Sequence, residues 1–378
     1  MTNRLVPDWF AREDVQQFVA LCEMHTIPIR FVGGCVRDTV MKRGVSDFDV
    51  CSSVTPQNMI QLLKGKARII PTGLVHGTVT ILIDRTHFEV TTLRKDVACD
   101  GRHAKVTFTN NWREDALRRD FTMNAVMLAP DGTLHDYTNG LADAKAGKVC
   151  FIGEAEQRIT EDYLRILRMF RFYAWYGEAP LNKTALNACQ KHAGQLANLS
   201  VERIAKEMLK LLAAPNPANA LEAMQDCGVW QVITHESSCD LARLKQLIKI
   251  EIEQDEKPNA LLRLLCLTGD KAPQIVQHWK LSNQQQHFLQ QVLSVPFLDT
   301  PHEVKKALYF HGKEVSYAAS LWQLAQSKNT DIDEVRTLDI PVFPIKGKDL
   351  LAEGFEAGKA LGEELKRRER EWIERGFR

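Results

Sequence analysis

The sequence predicts an α+β protein in which a small mixed β-sheet domain precedes an all-helical remainder. Three short apolar runs rich in β-branched residues lie in the first third of the chain, at 67–71, 78–84 and 86–93, and such runs are typical of strands. Beyond Gly140 almost every apolar pattern has helical spacing, and the composition turns rich in Leu, Ala and Lys. We therefore place a domain boundary near Gly140.

Local signals predict the elements of the first domain. Apolar residues at helical spacing predict a helix over 9–25. Thr55 is a good N-cap and Pro56 suits a first helical turn, so a short helix is expected to follow them. A turn at Asp84 and Arg85 predicts that the two runs on either side pair as a hairpin.

Composition limits the classes of protein that the chain can belong to. With 378 residues, 44% hydrophobic and 26% charged, about two to four globular domains are expected. No apolar run approaches the roughly 20 residues of a membrane helix, and the N-terminus lacks the core of a signal peptide. Nine cysteines without a CxxC pair indicate reduced thiols. We expect a cytoplasmic protein without a membrane or an obligate protein partner.

The net charge of +1 gives no support to a nucleic-acid partner, since phosphate contacts usually make such proteins basic. Lys and Arg are nevertheless concentrated at 113–119, at 158–171 and near the C-terminus. The C-terminal group mixes Arg with Glu at helical spacing, which is typical of a solvated, salt-bridged helix. The average charge therefore does not exclude RNA.

A candidate metal and phosphate site lies between residues 29 and 53. Asp47 and Asp49 are two apart on a predicted strand, so both carboxylates face the same way. Paired carboxylates of this kind favour a divalent cation, and oxygen ligands favour Mg²⁺. Upstream, Gly34 lets backbone amides approach an anion, and Arg37 offers a forked donor to phosphate.

Glu89 lies inside the third apolar run. A carboxylate within such a strand is costly without a partner. It therefore faces either solvent or the proposed metals, and we favour a third metal-site or base carboxylate.

Two further segments follow the predicted strands, and the second carries candidate nucleotide contacts. Residues 94–112 lack periodicity and predict a surface loop. The segment 113–125 reads as a helix entering a strand, where Arg119 suits triphosphate oxygens and Asp120 suits a ribose hydroxyl.

The segment 160–171 offers a way to select a base. Asp162, Arg165, Arg168 and Arg171 recur every three residues, which predicts one side of a helix. An ordinary row of surface salt bridges would look the same. An ionised Asp only accepts and an Arg only donates, so Asp162 with Arg165 can bond the amino group and ring nitrogen of cytosine or adenine. Uracil and guanine present a carbonyl and a ring N–H at these positions, so they would meet Asp162 with an acceptor and Arg165 with a donor.

These motifs together resemble one family. Their ordered set is similar to the class II (bacterial-type) tRNA CCA-adding nucleotidyltransferases and their poly(A) polymerase relatives, which have a polymerase-β-like head. The matching stretches are Gly33-Gly34-x-Val36-Arg37-Asp38, Asp47-x-Asp49, RRDFTxNA over 118–125, Glu161-Asp162-x-x-Arg165 and the segment 199–208.

The resemblance implies template-independent addition of C, C and A from CTP and ATP to the 3′ end of tRNA. It implies two Mg²⁺ ions on Asp47 and Asp49, with Glu89 as a further catalytic carboxylate. It also implies roles for three other groups of residues: nucleotide contacts at Gly34, Arg37, Arg119, Asp120, Asp162, Arg165, Arg168 and Arg171, a flexible loop at Asp100, Gly101 and Arg102, and RNA contacts at Lys346 and Lys348.

The resemblance further implies a division into four parts. We expect a catalytic head over 1–139, a helical neck that recognises the base over 140–213, a helical body over 214–298, and a helical tail over 299–378 that binds tRNA, near its elbow in relatives.

Two alternative functions stay open at this point. An A-adding enzyme or a poly(A) polymerase would share nearly every motif, and a catalytically inert RNA-binding module could use the same fold. Intact Asp47, Asp49 and Asp162 argue against the inert module, because binding alone does not require paired metal carboxylates.

Overall fold

The chain packs as two units, and each unit is built from two segments. The structure, a computed structural model, describes residues 4–99 and 104–378. Unit 1 comprises Met1–Ser200 and Asn219–His235, and unit 2 comprises Val201–Ala218 and Glu236–Arg378. The four-part division proposed above is finer than these two units and stays a prediction.

A seven-stranded mixed sheet forms the centre of unit 1. The strands of the described chain are β1 Ile29–Val32, β2 Phe48–Ser52, β3 Arg68–Gly73, β4 Thr78–Ile83, β5 Thr86–Thr92, β6 Arg94–Cys99, β7 Ala104–Phe108, β8 Met127–Leu128 and β9 Leu134–His135. The strand order of the sheet is β3-β4-β5-β2-β1-β8-β9, and a separate hairpin pairs β6 with β7. Among these pairs, only β2 and β5 run parallel.

One face of this sheet is an aromatic core. Phe31, Phe48 and Phe88 alternate with residues of the other face along β1, β2 and β5, and all three are fully buried. Phe18, from the helix over Glu13–Met24, stacks on Phe88 with ring centroids 4.1 Å apart. The period-2 alternation fixes which side chains point away from this core, and these include Asp49 and Glu89.

The hairpin of β6 and β7 differs from the sequence-based prediction. The missing periodicity predicts a loop over 94–112, but Arg94–Cys99 and Ala104–Phe108 pair as antiparallel strands. The sequence of this segment has no hydrophobic alternation, so the periodicity argument misses the two strands. The predicted β4–β5 hairpin, by contrast, is confirmed.

Ten helices accompany the strands in the described part of unit 1. They are α1 Glu13–Met24, α2 Gly34–Val40, α3 Pro56–Leu62, α4 Trp112–Leu117, α5 Gly140–Lys145, α6 Ala155–Glu161, α7 Leu164–Tyr176, α8 Lys183–His192, α10 Ala218–Asp226 and α11 Val229–Thr234. Helix α9, Val201–Leu212, belongs to unit 2. Thr55 caps α3 as predicted, accepting from the Asn58 amide at 3.5 Å. Short 3₁₀ turns cover Asp8–Ala11, Leu74–His76, Thr122–Asn124 and Ala193–Asn198.

The break between α6 and α7 corrects one expectation. The three-residue spacing predicts that Asp162 shares a helix with Arg165, but Asp162 has extended backbone angles (φ −155°, ψ 107°) directly after α6. Its Oδ1 accepts from the Leu164 amide at 3.1 Å, near the start of α7. The carboxylate therefore lies at the junction of two helices, and only the three arginines continue along α7.

Gly140 begins α5 where no side chain fits. A Cβ at this position would lie 2.0 Å from the Thr122 carbonyl oxygen. We expect Gly140→Ala to lower the free energy of unfolding by about 1–3 kcal/mol, because overpacking forces the backbone to shift. Denaturant unfolding checks this, with Gly194→Ala as the control, since a Cβ there meets nothing within 4 Å. Equal midpoints for the two variants would contradict the prediction.

Unit 2 is helical throughout its described residues. Its helices are α9 Val201–Leu212, α12 Leu241–Glu253, α13 Ala260–Thr268, α14 Ala272–His278, α15 Asn283–Ser294, α16 Pro301–Ala325, α17 Ile332–Thr337, α18 Gly347–Ala352 and α19 Lys359–Glu374. A buried ion pair lies among them: Arg263 Nη2 is 2.6 Å from Glu251 Oε2, and Arg263 Nη1 donates to the carbonyls of Leu212 (2.7 Å) and Ala214. This arginine therefore satisfies carbonyls at the end of α9. The predicted mixed-sheet head and helical remainder are confirmed.

Candidate active site

Asp49 lies among carboxylates on the face of the sheet opposite the aromatic core. The parallel pairing of β2 and β5 puts Asp49 directly beside Glu89, and Asp47 immediately precedes β2. All three residues are exposed. Partial desolvation raises the pKa of Asp49, and the like charges of Glu89 and Asp47 raise it further against the opposing effect of Arg119. A cation bound here would relieve this repulsion.

This donor set fits Mg²⁺ on coordination chemistry. In residues 4–99 and 104–378, no three His, Cys, Asp or Glu side chains converge closely enough to hold a metal ion alone. Mg²⁺ commonly takes one or two carboxylates and completes its shell with water and substrate phosphate. Asp47 and Asp49 suit such a site, and Glu89 remains a candidate beside them.

The turn before α2 closes against Asp49. Gly33 has a φ of +73°, and a Cβ there would lie 3.1 Å from Asp49 Oδ2. Any other residue would be strained by this φ and would also crowd the carboxylate. The glycine therefore brings Gly34 and the start of α2 next to the acidic residues.

Arg37 is buried and already largely bonded. Its Nε and Nη2 donate to the two oxygens of Asp38 at 3.0 Å each, Nη1 donates to Asn124 Oδ1 at 2.8 Å, and Nη2 donates to the Tyr176 hydroxyl at 2.7 Å. Four of its five N–H groups are thus used. Its predicted contact with the triphosphate stays a prediction, and the structure shows a residue that joins α2 to α7.

The same network continues to Asp120 and Arg168. Asn124 Nδ2 donates to Asp120 Oδ1 at 3.1 Å, and Arg168 Nε donates to Asp120 Oδ2 at 2.9 Å. Burial would raise the pKa of Asp120, but Arg168 and Asn124 outweigh it and hold that pKa below its ordinary value. Three predicted nucleotide contacts, Arg37, Asp120 and Arg168, therefore lie in one hydrogen-bonded network.

Arg119 is held at the end of α4 by a buried carboxylate. Its Nη2 donates to Asp115 Oδ2 at 3.0 Å and contacts Cys51 Sγ at 2.9 Å. Burial raises the pKa of the Cys51 thiol to about 12, so this sulfur is neutral at pH 7. Among the described residues, neither Nε nor Nη1 of Arg119 has a hydrogen-bond partner. One side of the guanidinium is fixed, and donors remain on the other side.

Arg165 is held in a similar way near the start of α7. Its Nη1 donates to the Arg158 carbonyl at 2.9 Å and to Glu161. Arg158 in turn bonds Glu161 and the carbonyls of Ile152 and Leu117. Within the described chain Nε and Nη2 of Arg165 keep their hydrogens available, and Asp162 lies three residues before it.

Helix α7 packs through its apolar side chains. Leu164, Leu167 and Phe170 are all buried. Arg171 lies with its guanidinium carbon 4.6 Å from the centroid of the Phe172 ring. The arginines therefore line the side of α7 away from the core.

The remaining predicted positions belong to two other segments of the chain. Asp100, Gly101 and Arg102 lie outside the described residues. Lys346 and Lys348 are exposed in unit 2, at the start of α18. No helix formed by the described residues is both long and apolar enough to cross a membrane.

Three supporting residues are not identified by the sequence pattern. Asp115 and Arg158 stand out there only as members of charge clusters, and Tyr176 does not stand out at all. Their i,i+3 and i,i+4 spacing to partners also occurs on any exposed helix, so no signal in the sequence marks Asp115 as buried. Tyr176 lies far along the chain from Arg37, and only the fold shows that contact.

Three family models match successive parts of the chain. The Poly A polymerase head domain matches residues 29–150, the probable RNA and SrmB-binding site of polymerase A matches 180–238, and the putative tRNA nucleotidyltransferase domain 2 matches 252–377. These matches place the chain among the nucleotidyltransferases of the poly(A) polymerase type.

Full-length relatives narrow this class. The mouse (Mus musculus) CCA tRNA nucleotidyltransferase 1, mitochondrial, is 32% identical over 97% of this chain and 87% of its own length. The CCA-adding enzyme of Latilactobacillus sakei is 31% identical over 89% and 87%. The crystal structure of the Bacillus stearothermophilus CCA-adding enzyme in complex with CTP has a TM-score of 0.77 at 25% identity, covering 96% of this chain and 93% of that one. The chain belongs to the bacterial-type CCA-adding nucleotidyltransferase family.

Proposed function

We propose that this protein adds C, C and A to the 3′ end of tRNA from CTP and ATP, without a nucleic-acid template. The RNA 3′-OH attacks the α-phosphate of the bound nucleotide, and pyrophosphate leaves. The relatives named above carry this activity in their names, and they match almost the whole chain.

One observation supports the proposal most directly. Asp49 lies beside Glu89 and against the Gly33 turn, and Arg119 is close enough to lower the pKa of Asp49. A carboxylate group, a glycine turn and a guanidinium at one place are what a metal-bound triphosphate requires.

Different residues of the chain would bind the metal, the triphosphate and the ribose. Asp47 and Asp49 would hold Mg²⁺, which when bound activates the 3′-OH and stabilises the leaving pyrophosphate. Arg119 donates to the triphosphate, with Gly34, Arg37, Arg168 and Arg171 as further proposed contacts. Asp120 is the proposed partner of the ribose.

Asp162 and Arg165 select the base. The carboxylate of Asp162 accepts from the amino group of C or A, while Nε and Nη2 of Arg165 are available to donate to the ring nitrogen. Uracil and guanine would place an N–H against Arg165 and a carbonyl against Asp162. Those groups would be left without hydrogen bonds, at about 1–3 kcal/mol each.

We also propose that the helical tail over 299–378 contacts tRNA and that the protein works in a reducing compartment. Exposed Lys346 and Lys348 are candidates for phosphate contacts near the tRNA elbow. Eight cysteines in the described chain are free thiols, which suits a reducing compartment such as the cytoplasm.

Incorporation of labelled nucleotides tests this function. Three tRNAs, ending before CCA, after C and after CC, are incubated with CTP or ATP, with UTP and GTP as controls and Asp49→Ala as the blank. We expect C, C and A to be added in order, after which synthesis stops. Extension of only the tRNA ending in CC would indicate an A-adding enzyme, and long A tails a polymerase. No incorporation above the blank would reject the enzymatic function.

Metal removal gives a second prediction. Because the carboxylates of Asp47, Asp49 and Glu89 repel the negatively charged triphosphate unless a cation lies between them, we expect EDTA to abolish incorporation and added Mg²⁺ to restore it. The measurement is incorporation of labelled CTP against free Mg²⁺ concentration. Full activity in EDTA would contradict the assignment of Asp47 and Asp49.

A further inference from the structure

Asp115 is the most completely enclosed carboxylate near the site. Its side chain has no exposed surface, yet it accepts from Arg118 Nε at 2.8 Å, from Arg119 Nη2 at 3.0 Å and from the Arg94 amide at 3.3 Å. The Cys51 thiol also contacts it at 3.5 Å. Every direction around the carboxylate is occupied, so it has no room to touch a nucleotide.

Asp115 borders a buried apolar cluster. Cys51, which contacts Asp115, and the adjacent Ala116 belong to this cluster together with Val32, Leu93 and Met127. A buried ion pair is a weak source of net stability, and an apolar side chain of similar size commonly serves as well. The contacts of Asp115 with Arg118 and Arg119 therefore explain its charge better than a contribution to stability does.

Arg119 extends from Asp115 toward the carboxylates of the sheet. Its Nη2 touches both Asp115 and Cys51, and Cys51 follows Asp49 by two residues on the same face of β2. The guanidinium therefore lies between the buried carboxylate and Asp49. With Nη2 fixed, the direction of the remaining donors is set by Asp115.

We infer that Asp115 is a positioning residue that sets the affinity for the nucleotide by orienting the guanidinium of Arg119 toward the triphosphate. It acts through Arg119 and does not contact the substrate. This inference rests on the proposed function, and it concerns CTP and ATP equally, since the triphosphate is common to both.

A double-mutant cycle tests the inference. Asp115→Asn keeps the shape of the side chain and removes its charge, and Arg119→Met removes the guanidinium. We expect each single variant to raise KM for both CTP and ATP by about 10- to 100-fold, the equivalent of one hydrogen bond to a charged group, with a smaller change in kcat. The double variant should be no worse than Arg119→Met, because Asp115 has no effect without its arginine.

The control is Glu114→Gln on the same helix. The Glu114 carboxylate accepts from the Thr109 hydroxyl at 2.6 Å, so its substitution should leave KM unchanged. An unchanged KM in Asp115→Asn, or effects that simply add in the double variant, would overturn the inference. If Asp115→Asn does not fold, Asp115→Glu keeps the buried charge but displaces it, and an unchanged KM there overturns the inference equally.

Equilibrium binding separates this inference from the proposed function. Dissociation constants for labelled CTP are measured with Mg²⁺ and no tRNA for the unsubstituted protein, Asp115→Asn and Glu114→Gln. If the unsubstituted protein binds CTP but extends no tRNA, the proposed function fails, while weaker binding by Asp115→Asn still supports the inference. Normal incorporation by the unsubstituted protein, together with equal CTP binding by the unsubstituted protein and Asp115→Asn, rejects the inference alone.

Discussion

Asp49→Asn is expected to lower the rate of nucleotide incorporation by about 10³-fold or more, because metal-assisted charge stabilisation in the transition state is worth several kcal/mol. The amide keeps the shape of the side chain but is a much weaker ligand for Mg²⁺. The rate is measured with saturating CTP and tRNA ending before CCA.

The same substitution is expected to stabilise the metal-free protein at pH 7. The pKa of Asp49 is raised in the folded state, first by desolvation and then by Glu89. Its ionisation therefore opposes folding at neutral pH. This effect disappears as pH falls below the pKa that Asp49 has in the unfolded chain. Thermal unfolding in EDTA should give a higher Tm for Asp49→Asn than for the unsubstituted protein.

Asp84→Asn is the matched control for both measurements. Asp84 lies exposed in the β4–β5 turn of the same sheet, and Asn tolerates its positive φ of 50°. We expect the activity and the Tm of Asp84→Asn to equal those of the unsubstituted protein. Activity of Asp49→Asn within about tenfold of this control would remove Asp49 from the metal site.

Asp162→Asn is expected to reduce discrimination between bases. An amide can accept and donate, so the variant no longer opposes the uracil carbonyl with a second acceptor. We expect kcat/KM for CTP to fall by about 10- to 100-fold, and the preference for CTP over UTP to fall by a similar factor. Competition between labelled CTP and UTP on tRNA ending before CCA measures both.

Glu156→Gln serves as the control for Asp162→Asn. Glu156 lies at the start of α6 and pairs with Lys191 and His192 at the surface. Its variant should keep the preference for CTP. If Asp162→Asn keeps that preference too, base selection does not depend on the carboxylate of Asp162.

The strands were predictable where side chains alternate. Phe48 and Val50 face the core while Asp49 and Cys51 face the opposite way, and this pattern is visible in the sequence because one face is buried. The direct pairing of Asp49 with Glu89 was not visible, because it depends on the register of two strands that are far apart in sequence.

Other parts of the site could not be predicted for equally physical reasons. A three-residue spacing continues through the junction at Asp162 without a Gly or Pro to mark the break, so the sequence predicts one helix where two exist. Arg37 looks like a free donor in the sequence, because its partners Asn124 and Tyr176 come from distant segments. Burial distinguishes a positioning charge from a substrate contact, and burial is a property of the fold.

The interleaving of the two units has a consequence for synthesis of the chain. Unit 1 takes its last segment from Asn219–His235, after Val201–Ala218 has already contributed to unit 2. The carbonyls of Leu212 and Ala214 gain their hydrogen bonds from Arg263 only after that residue has been synthesised. On the ribosome, unit 1 is not complete as an N-terminal fragment until residue 235 emerges, because α10 and α11 belong to it and α11 packs against the Ala193–Asn198 turn. A chain shortened to end at residue 139 or 213 would therefore hold an incomplete unit 1, whereas joining Ser200 directly to Asn219 would keep both of its segments.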